Sequence, residues 1–216
     1  LIDLARRMNE SIDNVSKIKS VDIHTSHHTH YVIGTGARDP QKMDPKASRE
    51  TLDHSIMYIF AVALEDGSWH HIKSYTKARA KRKSTIKIWK SIKTHEDKKW
   101  TRKYHDPNPK KKSFGAKVII TLKNGKKIIE QQDKADAHPF GSRPFKRKNY
   151  INKFKTLTES ILDKKESARF LNAVQKLRKL KPGQLDQLNI QVKKSKLKRN
   201  YKKGIFNNSL LRVLEK

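Results

Sequence analysis

The clearest periodic pattern of apolar residues lies between residues 48 and 67. The apolar positions that recur there at three- and four-residue spacing are Leu52, Ile56, Ile59, Phe60, Ala63 and Leu64. Such spacing places them on one face of a helix, and Met57, Ala61 and Val62 fill its flanks. Ser48 supplies an N-cap and Gly67 a stop. The pattern predicts one continuous helix that is buried on most sides.

Other patterns predict strands and further helices. Residues 18–25 alternate as a strand does, and residues 116–131 form two runs around Asn124-Gly125, the strongest short signal for a hairpin. Helical spacing predicts helices over residues 1–12, 100–105, 150–162, 167–180 and 183–188. Residues 85–92 fit both types, and residues 29–46 form a long loop with two glycines and two prolines. We predict an α+β fold: a small mixed α/β domain with a β-hairpin, followed by C-terminal helices.

Charge adds a strong bias to this pattern. The chain of 216 residues carries 51 Lys and Arg against 21 Asp and Glu, a net charge of +30. A surface this basic binds polyanions nonspecifically, with a strong dependence on salt. The lysines are spread through amphipathic segments, and the sequence shows no row of aromatic residues for stacking bases. We therefore favour an enzyme with a basic surface and keep a nucleic-acid-binding module as the alternative.

Several classes of site are excluded or disfavoured. The chain has no cysteine, which excludes disulfides and thiolate metal sites. No apolar run is long enough to cross a membrane and no secretory signal is visible, which favours a cytoplasmic protein. The cluster of His27, His28 and His30 suggests a metal site. However, adjacent residues of an extended chain point to opposite faces, and the nearest acids, Asp22 and Asp39, lie outside the cluster. No metal is predicted.

Five stretches follow one another as in a known family. They read HTSHHTHYVIGTGARDPQKMDPKASRETLDHSIMYIFAVALEDG, WHHIKSY, HEDKKWTRKYHDP, KKSFGAKVIITLKNG and ADAHPFGSRPFKRKNYINKF. Together they closely resemble the C-terminal half of the 2-methylcitrate dehydratases in the MmgE/PrpD family. The resemblance covers residues 24–154 strongly and the later helices more loosely. Its collinear order makes it specific, since no single stretch is a catalytic signature.

The resemblance implies an activity and a domain plan. The activity is the elimination of water from 2-methylcitrate, with citrate as a related substrate, in the methylcitrate cycle of propionate catabolism. The plan is an α/β domain at residues 1–145, helices at residues 146–192 that return to a helical domain, and a basic tail at residues 193–216. Because Leu1 lies inside an amphipathic pattern, we expect a fragment without the helical domain and its Lys/His motif. We expect it to be inactive alone, to need no cofactor and, at full length, to form a homodimer.

The reaction needs a base, an acid for the leaving hydroxyl, and cations for the carboxylates. The resemblance gives Tyr58 and His54 as catalytic candidates, because Tyr58 matches a tyrosine one turn after a His-Ser pair in the family. On the predicted helix the two residues share one buried face. A core tyrosine is an equally good interpretation of Tyr58, and a structural histidine is a better one of His54. The substrate-binding candidates are His30, Arg38, Lys42 and Arg49.

Overall fold

The computed structural model describes residues 1–196, and the chain forms two compact units, of which the first is Leu1–Phe145 and the second begins at Lys146. The predicted α+β class is confirmed. The helices are α1 Ile2–Asn9, α2 Arg49–Asp53, α3 Ile56–Asp66, α4 Lys77–Ala80, α5 Lys83–Lys90, α6 Lys98–His105, α7 Arg147–Thr158 and α8 Lys164–Gln175. The strands are β1 Ile18–Thr25, β2 Ile92–Glu96, β3 Ala116–Leu122 and β4 Lys127–Gln132. Within the described residues, every helix is too short or too polar to span a bilayer.

The described strands form one mixed sheet in the order β2-β1-β3-β4. β1 runs parallel to β2 and antiparallel to β3, and β3 and β4 form the predicted hairpin. The strand predicted over residues 18–25 is confirmed at both ends. Residues 85–92, which fit both types, belong mostly to α5, and β2 begins at Ile92. The parallel pair places the C-terminal ends of β1 and β2 side by side.

Helix α3 lies in the centre of the core of the first unit. It packs against α1, α2 and α5, and most of its residues are buried. Alternate residues of the strands face the same core, because side chains of a strand alternate between the two faces of a sheet. These inward residues are Val21, Ile23, Ile92, Val118 and Ile120, each at most 2% exposed.

The prediction of one continuous helix over residues 48–67 is wrong. The helix is broken at His54 and Ser55, which separate α2 from α3. Ser48 caps α2, as predicted, and Ser55 caps α3 by accepting a hydrogen bond from the N–H of Tyr58 at 3.3 Å. Ser55 Oγ also donates to the carbonyl oxygen of Lys42 at 2.7 Å. A tertiary hydrogen bond to the loop therefore fixes the break.

In the described residues of the second unit, 146–196, α7 and α8 are followed by short 3₁₀ turns. The helices predicted over residues 150–162 and 167–180 correspond to α7 and α8, which begin and end a few residues earlier. The helix predicted over residues 183–188 is wrong, since only a 3₁₀ turn, Leu185–Leu188, forms there. Most of the predicted basic tail, residues 193–216, lies outside the described residues. Packing on a further helical domain stays a prediction.

Candidate functional site

The C-terminal edge of the parallel pair gathers polar side chains from three segments. His24 lies opposite His95 in the register of β1 and β2, and Thr25 lies opposite Glu96. The loop that follows β1 brings His30 to the same edge, where its ring contacts Thr94 of β2. In sheets with parallel strands, ligands bind preferentially outside the carboxyl ends of the strands. This edge is therefore the first place to look for a site.

A hydrogen-bond network closes the loop onto β2. His30 Nδ1 lies 2.7 Å from Thr94 Oγ1, and Thr35 Oγ1 lies 2.9 Å from the same oxygen. The N–H of Thr35 donates to Thr94 Oγ1 at 2.9 Å, and the N–H of Thr94 donates to Thr35 Oγ1 at 3.0 Å. Glycine permits this approach, since a Cβ on Gly34 would lie 2.5 Å from Thr94 Oγ1 and one on Gly36 would lie 2.5 Å from His30 Nε2. The network holds the loop in one conformation.

Partial burial favours the neutral form of the His30 imidazole. Desolvation, and then the nearby charge of His95, lower the pKa of His30 below its usual 6.5. Its Nδ1 contacts Thr94, and Gly36 lies close to the ring near Nε2. His30 therefore stabilises the loop through its contact with Thr94.

The remaining histidines of this edge pair with acids or with aromatic rings. The rings of His24 and His95 stack at 5.0 Å, and His95 Nε2 lies 2.8 Å from Asp22 Oδ1. His27 Nδ1 lies 3.1 Å from Glu96 Oε2. Desolvation, and then His95, lower the pKa of His24. Among residues 1–196, no three His, Cys, Asp or Glu side chains come together as metal ligands would.

His27 and His28 lie in a helical turn, so the reasoning from an extended chain does not apply to them. Their rings diverge in this turn: the ring of His28 stacks on Tyr104 at 5.3 Å, whereas His27 pairs with Glu96. The polar partners of His27 and His30 differ, being Glu96 and Thr94, although both rings contact Tyr31 at 4.5 Å.

An open cleft of about 500 Å³ lies between the loop and β2. Three cations line it: Arg38 from the loop, Lys90 from the end of α5, and Lys93 from β2. None of these three has an ion-pair partner among residues 1–196. Apolar residues complete the lining, and they include Met43, Met57 and Ile92. Of these three only Met43 is partly exposed, since Met57 and Ile92 are 1% and 2% exposed, so the cations give the cleft its main character, and it can bind an anion.

Arg38 has an unusual backbone conformation. Its φ of 52° and ψ of 28° are left-handed, and no other residue except glycine has a positive φ in the described part of the chain. Such a conformation costs arginine about 1 kcal/mol or more. Strained residues of this kind persist where the surrounding structure fixes them, and they cluster at functional sites.

Lys42, also a predicted substrate contact, forms an ion pair with Asp39 and does not face the cleft. Its Nζ donates to Asp39 Oδ2 at 2.8 Å, and the N–H of Gln41 donates to Asp39 Oδ1 at 2.9 Å. These two hydrogen bonds, that from Lys42 first, lower the pKa of Asp39. Lys42 does not line the cleft, whereas Asp39 does. The acid at the cleft is thus already neutralised by a cation outside it.

Tyr58 is fully buried in the core. Its hydroxyl donates to the carbonyl oxygen of Ser74 at 2.5 Å, and the rings of Trp89 and Tyr75 lie 5.0 and 6.0 Å away. Burial raises the pKa of Tyr58 to about 12. In this conformation its hydroxyl reaches neither the cleft nor solvent.

His54 does not share a buried face with Tyr58, so that expectation is wrong. It is exposed at the break between α2 and α3, and its Nδ1 lies 2.8 Å from the carbonyl oxygen of Glu50. Arg49, also exposed, donates to the carbonyl oxygen of His71 at 3.0 Å and lies over the ring of Tyr75. Of the predicted site residues, only Arg38 lines the cleft, and His30 lies behind its Thr94 wall.

Sequence reasoning missed Lys90, Lys93, Thr94 and His95. The alternation in IKTHE places Ile92 and Thr94 inward and Lys93 and His95 outward, as their burial shows. That signal was available, but the segment just before it fitted both a helix and a strand. The pairing of β2 with β1 is a contact between residues about 70 apart in the chain, and no local pattern predicts it.

Comparison with known families gives a direct match. The family model described as the MmgE/PrpD C-terminal domain matches residues 1–179. The match includes all of the first unit and both α7 and α8. It confirms the resemblance over residues 24–154 and extends it in both directions.

Proposed function

The chain belongs to the MmgE/PrpD family, a family of dehydratases, and on that premise we propose that it forms part of the active site of a 2-methylcitrate dehydratase. The enzyme eliminates water from 2-methylcitrate to give 2-methyl-cis-aconitate, in cytoplasmic propionate catabolism. The match over residues 1–179 carries this proposal. The resemblance to 2-methylcitrate dehydratases over residues 24–154 supports the choice of substrate.

This part of the enzyme contributes positive charge and rigidity. Elimination next to a carboxylate builds negative charge on that carboxylate, and fixed cations stabilise it. Arg38, Lys90 and Lys93 are cations on three different elements around one cleft. The network around Thr94 fixes the loop that bears Arg38, so little reorganisation is needed when substrate binds.

The base and the acid come, in this proposal, from the helical domain that the resemblance implies. Tyr58 is a poor base here, because its pKa is raised to about 12 and its hydroxyl donates a hydrogen bond to the carbonyl oxygen of Ser74. It can act only as a hydrogen-bond donor, and only if its hydroxyl exchanges Ser74 for the substrate. The catalytic role of His54 and the substrate-binding role of Arg49 also stay predictions. Both residues lie outside the cleft, so either role requires that substrate reach that surface.

Activity measurements test the proposal. We expect the purified chain alone to form no unsaturated product from 2-methylcitrate, as followed by absorbance. A chimera in which this chain replaces the C-terminal domain of a 2-methylcitrate dehydratase should form it. A folded chimera that converts neither 2-methylcitrate nor citrate would contradict the proposal. Turnover by the chain alone would contradict the claim that the base and the acid come from the helical domain.

One observation favours nucleic-acid binding as a second function. Phe114 is 64% exposed, Lys112 Nζ lies 5.9 Å from its ring centroid, and its ring packs edge-on against Tyr104 at 4.9 Å. Exposed rings among cations stack with bases of single strands. Lys112 and Phe114 are neighbours in the sequence, whereas Tyr104 lies on α6, so only the fold completes the group.

Gel-shift measurements with a single-stranded oligonucleotide at physiological salt test this alternative. If it is correct, Phe114→Ala weakens binding roughly tenfold, whereas Phe140→Ala, at another exposed phenylalanine, changes little. Equal effects of the two substitutions would leave only nonspecific attraction to a basic chain.

A further inference from the structure

The two edges of the sheet are treated differently by the fold. The loop after β1 covers the edge at β2, where the N–H of Thr94 donates to Thr35 Oγ1 at 3.0 Å. At the other edge, β4 pairs with β3 alone among residues 1–196, and most of its residues are exposed. An edge strand of this kind presents unpaired N–H and C=O groups, which are a template for one more strand.

The hairpin determines which groups of β4 point outward. The N–H of Leu122 donates to the carbonyl oxygen of Lys126 at 2.8 Å, so these two residues form a hydrogen-bonded pair. In an antiparallel ladder every second residue repeats that direction, and the residues between them point the other way. The residues of β4 whose N–H and C=O groups point to the open edge are Lys127, Ile129 and Gln131. Within residues 1–196, none of the three has a further backbone hydrogen bond.

The usual devices that protect an edge strand are mostly missing from β4. Proline and bulges keep other strands away from an edge, but β4 contains no proline and pairs with β3 in an unbroken register. Ile128 packs against the core, so Ile129 points to the opposite face of the sheet, where it is 53% exposed. The middle of the open edge is therefore apolar and accessible.

We propose that β4 pairs antiparallel with β4 of a second copy of this chain, across a two-fold axis at Ile129, so that the two sheets join into one. In this register Ile129 lies opposite Ile129 of the second copy, and Lys127 lies opposite Gln131. Each of these pairs exchanges two hydrogen bonds through the groups that point outward. A shift by two residues in either direction leaves Lys127 or Gln131 without an opposite residue.

The charges of the hairpin favour a second copy over an unrelated strand. Lys126 and Lys127 lie at the start of β4, and Glu130 lies towards its end. Antiparallel pairing places Glu130 diagonally across from Lys126 of the second copy, a distance that long side chains reach. Like charges never lie directly opposite each other in this register. The assembly closes as a dimer, because the loop covers the remaining edge at β2.

The expected contact is short and reversible. A strand of six residues is roughly 20 Å long, so an edge contact alone is smaller than a standard protein interface. A covalent trap is therefore the sharpest test. The chain has no cysteine, so one introduced cysteine reports one contact. The Cα atoms of a hydrogen-bonded antiparallel pair lie about 5.5 Å apart, which a disulfide can span.

The test is disulfide formation in single-cysteine variants of the 216-residue chain under mild oxidation. Ile129→Cys should form linked dimers at least about tenfold faster than Gln131→Cys, because pairing holds the two thiols together only at the axis. Gln131 is the matched control: it is exposed on the same strand and face, but lies roughly 14 Å from Gln131 of the second copy. Equal rates for the two variants would overturn the proposal.

A mixture of two variants tests the register. Lys127→Cys and Gln131→Cys should each link slowly alone and at least about tenfold faster when mixed, since these positions lie opposite each other only between copies. Adding Ile129→Pro to both chains should abolish the acceleration, because proline removes an outward N–H and leaves the ladder to β3 intact. No acceleration on mixing, or acceleration unchanged by proline in a chain folded by circular dichroism, would overturn the proposal.

Association through the second unit is separated by its own substitution. Ile129→Cys should link at the same rate in a Leu157→Ser background, because the β4 contact does not involve α7. A rate that falls to that of Gln131→Cys in this background would overturn the edge as the contact. The proposal does not depend on the dehydratase function, since none of these measurements requires turnover.

Discussion

The two units of the chain place similar helices in different surroundings. In the first unit, eight of the eleven residues of α3 are buried. In the second unit, α7 has twelve residues and none is buried, and α8 buries only Glu166 and Ala173. Both helices of the second unit nevertheless carry apolar residues: Leu157 is 44% exposed and Val174 42%. An apolar face becomes core only where other elements cover it.

The sheet and three helices cover α3, whereas α7 and α8 have mainly each other. The rings of Phe154 and Phe170 stack at 5.1 Å and are half-buried. Leu157, Val174 and Leu177 remain exposed. Exposed apolar patches of this kind favour association, which agrees with the helical domain that the family resemblance implies. The contrast between the units leads to four predictions.

The largest difference concerns truncation of apolar side chains. Phe60→Ala in α3 should lower the free energy of unfolding by about 3–5 kcal/mol, because it removes a fully buried ring. Leu157→Ala in α7 should change it by less than about 0.5 kcal/mol. Urea titration followed by far-UV circular dichroism measures both units, since each contains helices, and tryptophan fluorescence measures the first unit alone, since Trp69, Trp89 and Trp100 all lie there. Equal effects of the two substitutions would remove the contrast.

Tyr58→Phe tests whether the polar group in the core of the first unit is structural. Removing the hydroxyl leaves the carbonyl oxygen of Ser74 buried without its donor, so the free energy of unfolding should fall by about 1–2 kcal/mol. Tyr75→Phe is the control, because Asp53, which accepts from Tyr75, is exposed and can bind water instead. A kcat lowered tenfold or more in the chimera, with unchanged unfolding, would make Tyr58 catalytic.

The two units should respond to acid in different pH ranges. The pKa of His30 is lowered from 6.5, mainly by desolvation, so the folded first unit favours the neutral ring. The stability that this provides is present above pH 6.5 and is lost as the pH falls below it. The pKa of Glu166 is lowered from 4.5 to about 2, first by the hydrogen bond from Arg169. Its contribution is present above pH 4.5 and is lost as the pH falls towards 2.

Amide hydrogen exchange measured against pH distinguishes these two ranges. The protection factors of residues 29–38, which correct the exchange rate for its intrinsic dependence on pH, should fall first, below pH 6.5, and those of α8 only below pH 4.5. His30→Gln should reduce the first change and Glu166→Gln the second. A simultaneous fall of the protection factors in both units would contradict the assignment of each step to its own group.

The smallest expected effect is on stability, and it concerns an exposed leucine of α7 whose main role is in self-association of the chain. Leu157→Ser should reduce self-association in sedimentation velocity while altering the free energy of unfolding by less than about 0.5 kcal/mol. Ile72→Ser is the matched control, because Ile72 is an exposed residue of the first unit, at 51%. A chain that is monomeric before substitution would contradict the prediction.

Local signals predicted the elements that depend on few neighbours. The hairpin formed where Asn124-Gly125 indicated it, and β1 has the bounds that its alternation predicted. Ser48 and Gly67 mark the start of α2 and the end of α3. The break at Ser55 was missed, although serine is a good N-cap, because an uninterrupted apolar pattern outweighed it. Its hydrogen bond to Lys42 is a contact that periodicity does not contain.

The candidate site was harder to predict than the fold. Arg38, which stays a predicted substrate contact, lines the cleft, whereas Lys42 lies outside it and the sequence did not indicate Lys90 and Lys93. Equally, His54 and Tyr58 are four residues apart, yet one is exposed and the other is buried. Spacing gives neighbours only while the helix is continuous.

The sequence by itself determined the α+β class, the hairpin, the family and the excess of positive charge, since each of these depends on composition or on residues close along the chain. Only the tertiary structure decided which residues meet at the end of β1 and β2. His30 contacts Thr94 across 64 residues of chain, and the hydroxyl of Tyr58 donates a hydrogen bond to the carbonyl oxygen of Ser74, 16 residues away. Such contacts depend on the packing of the sheet against its helices. The pattern of apolar residues along the chain predicts which side chains are buried, but not which residue each one contacts.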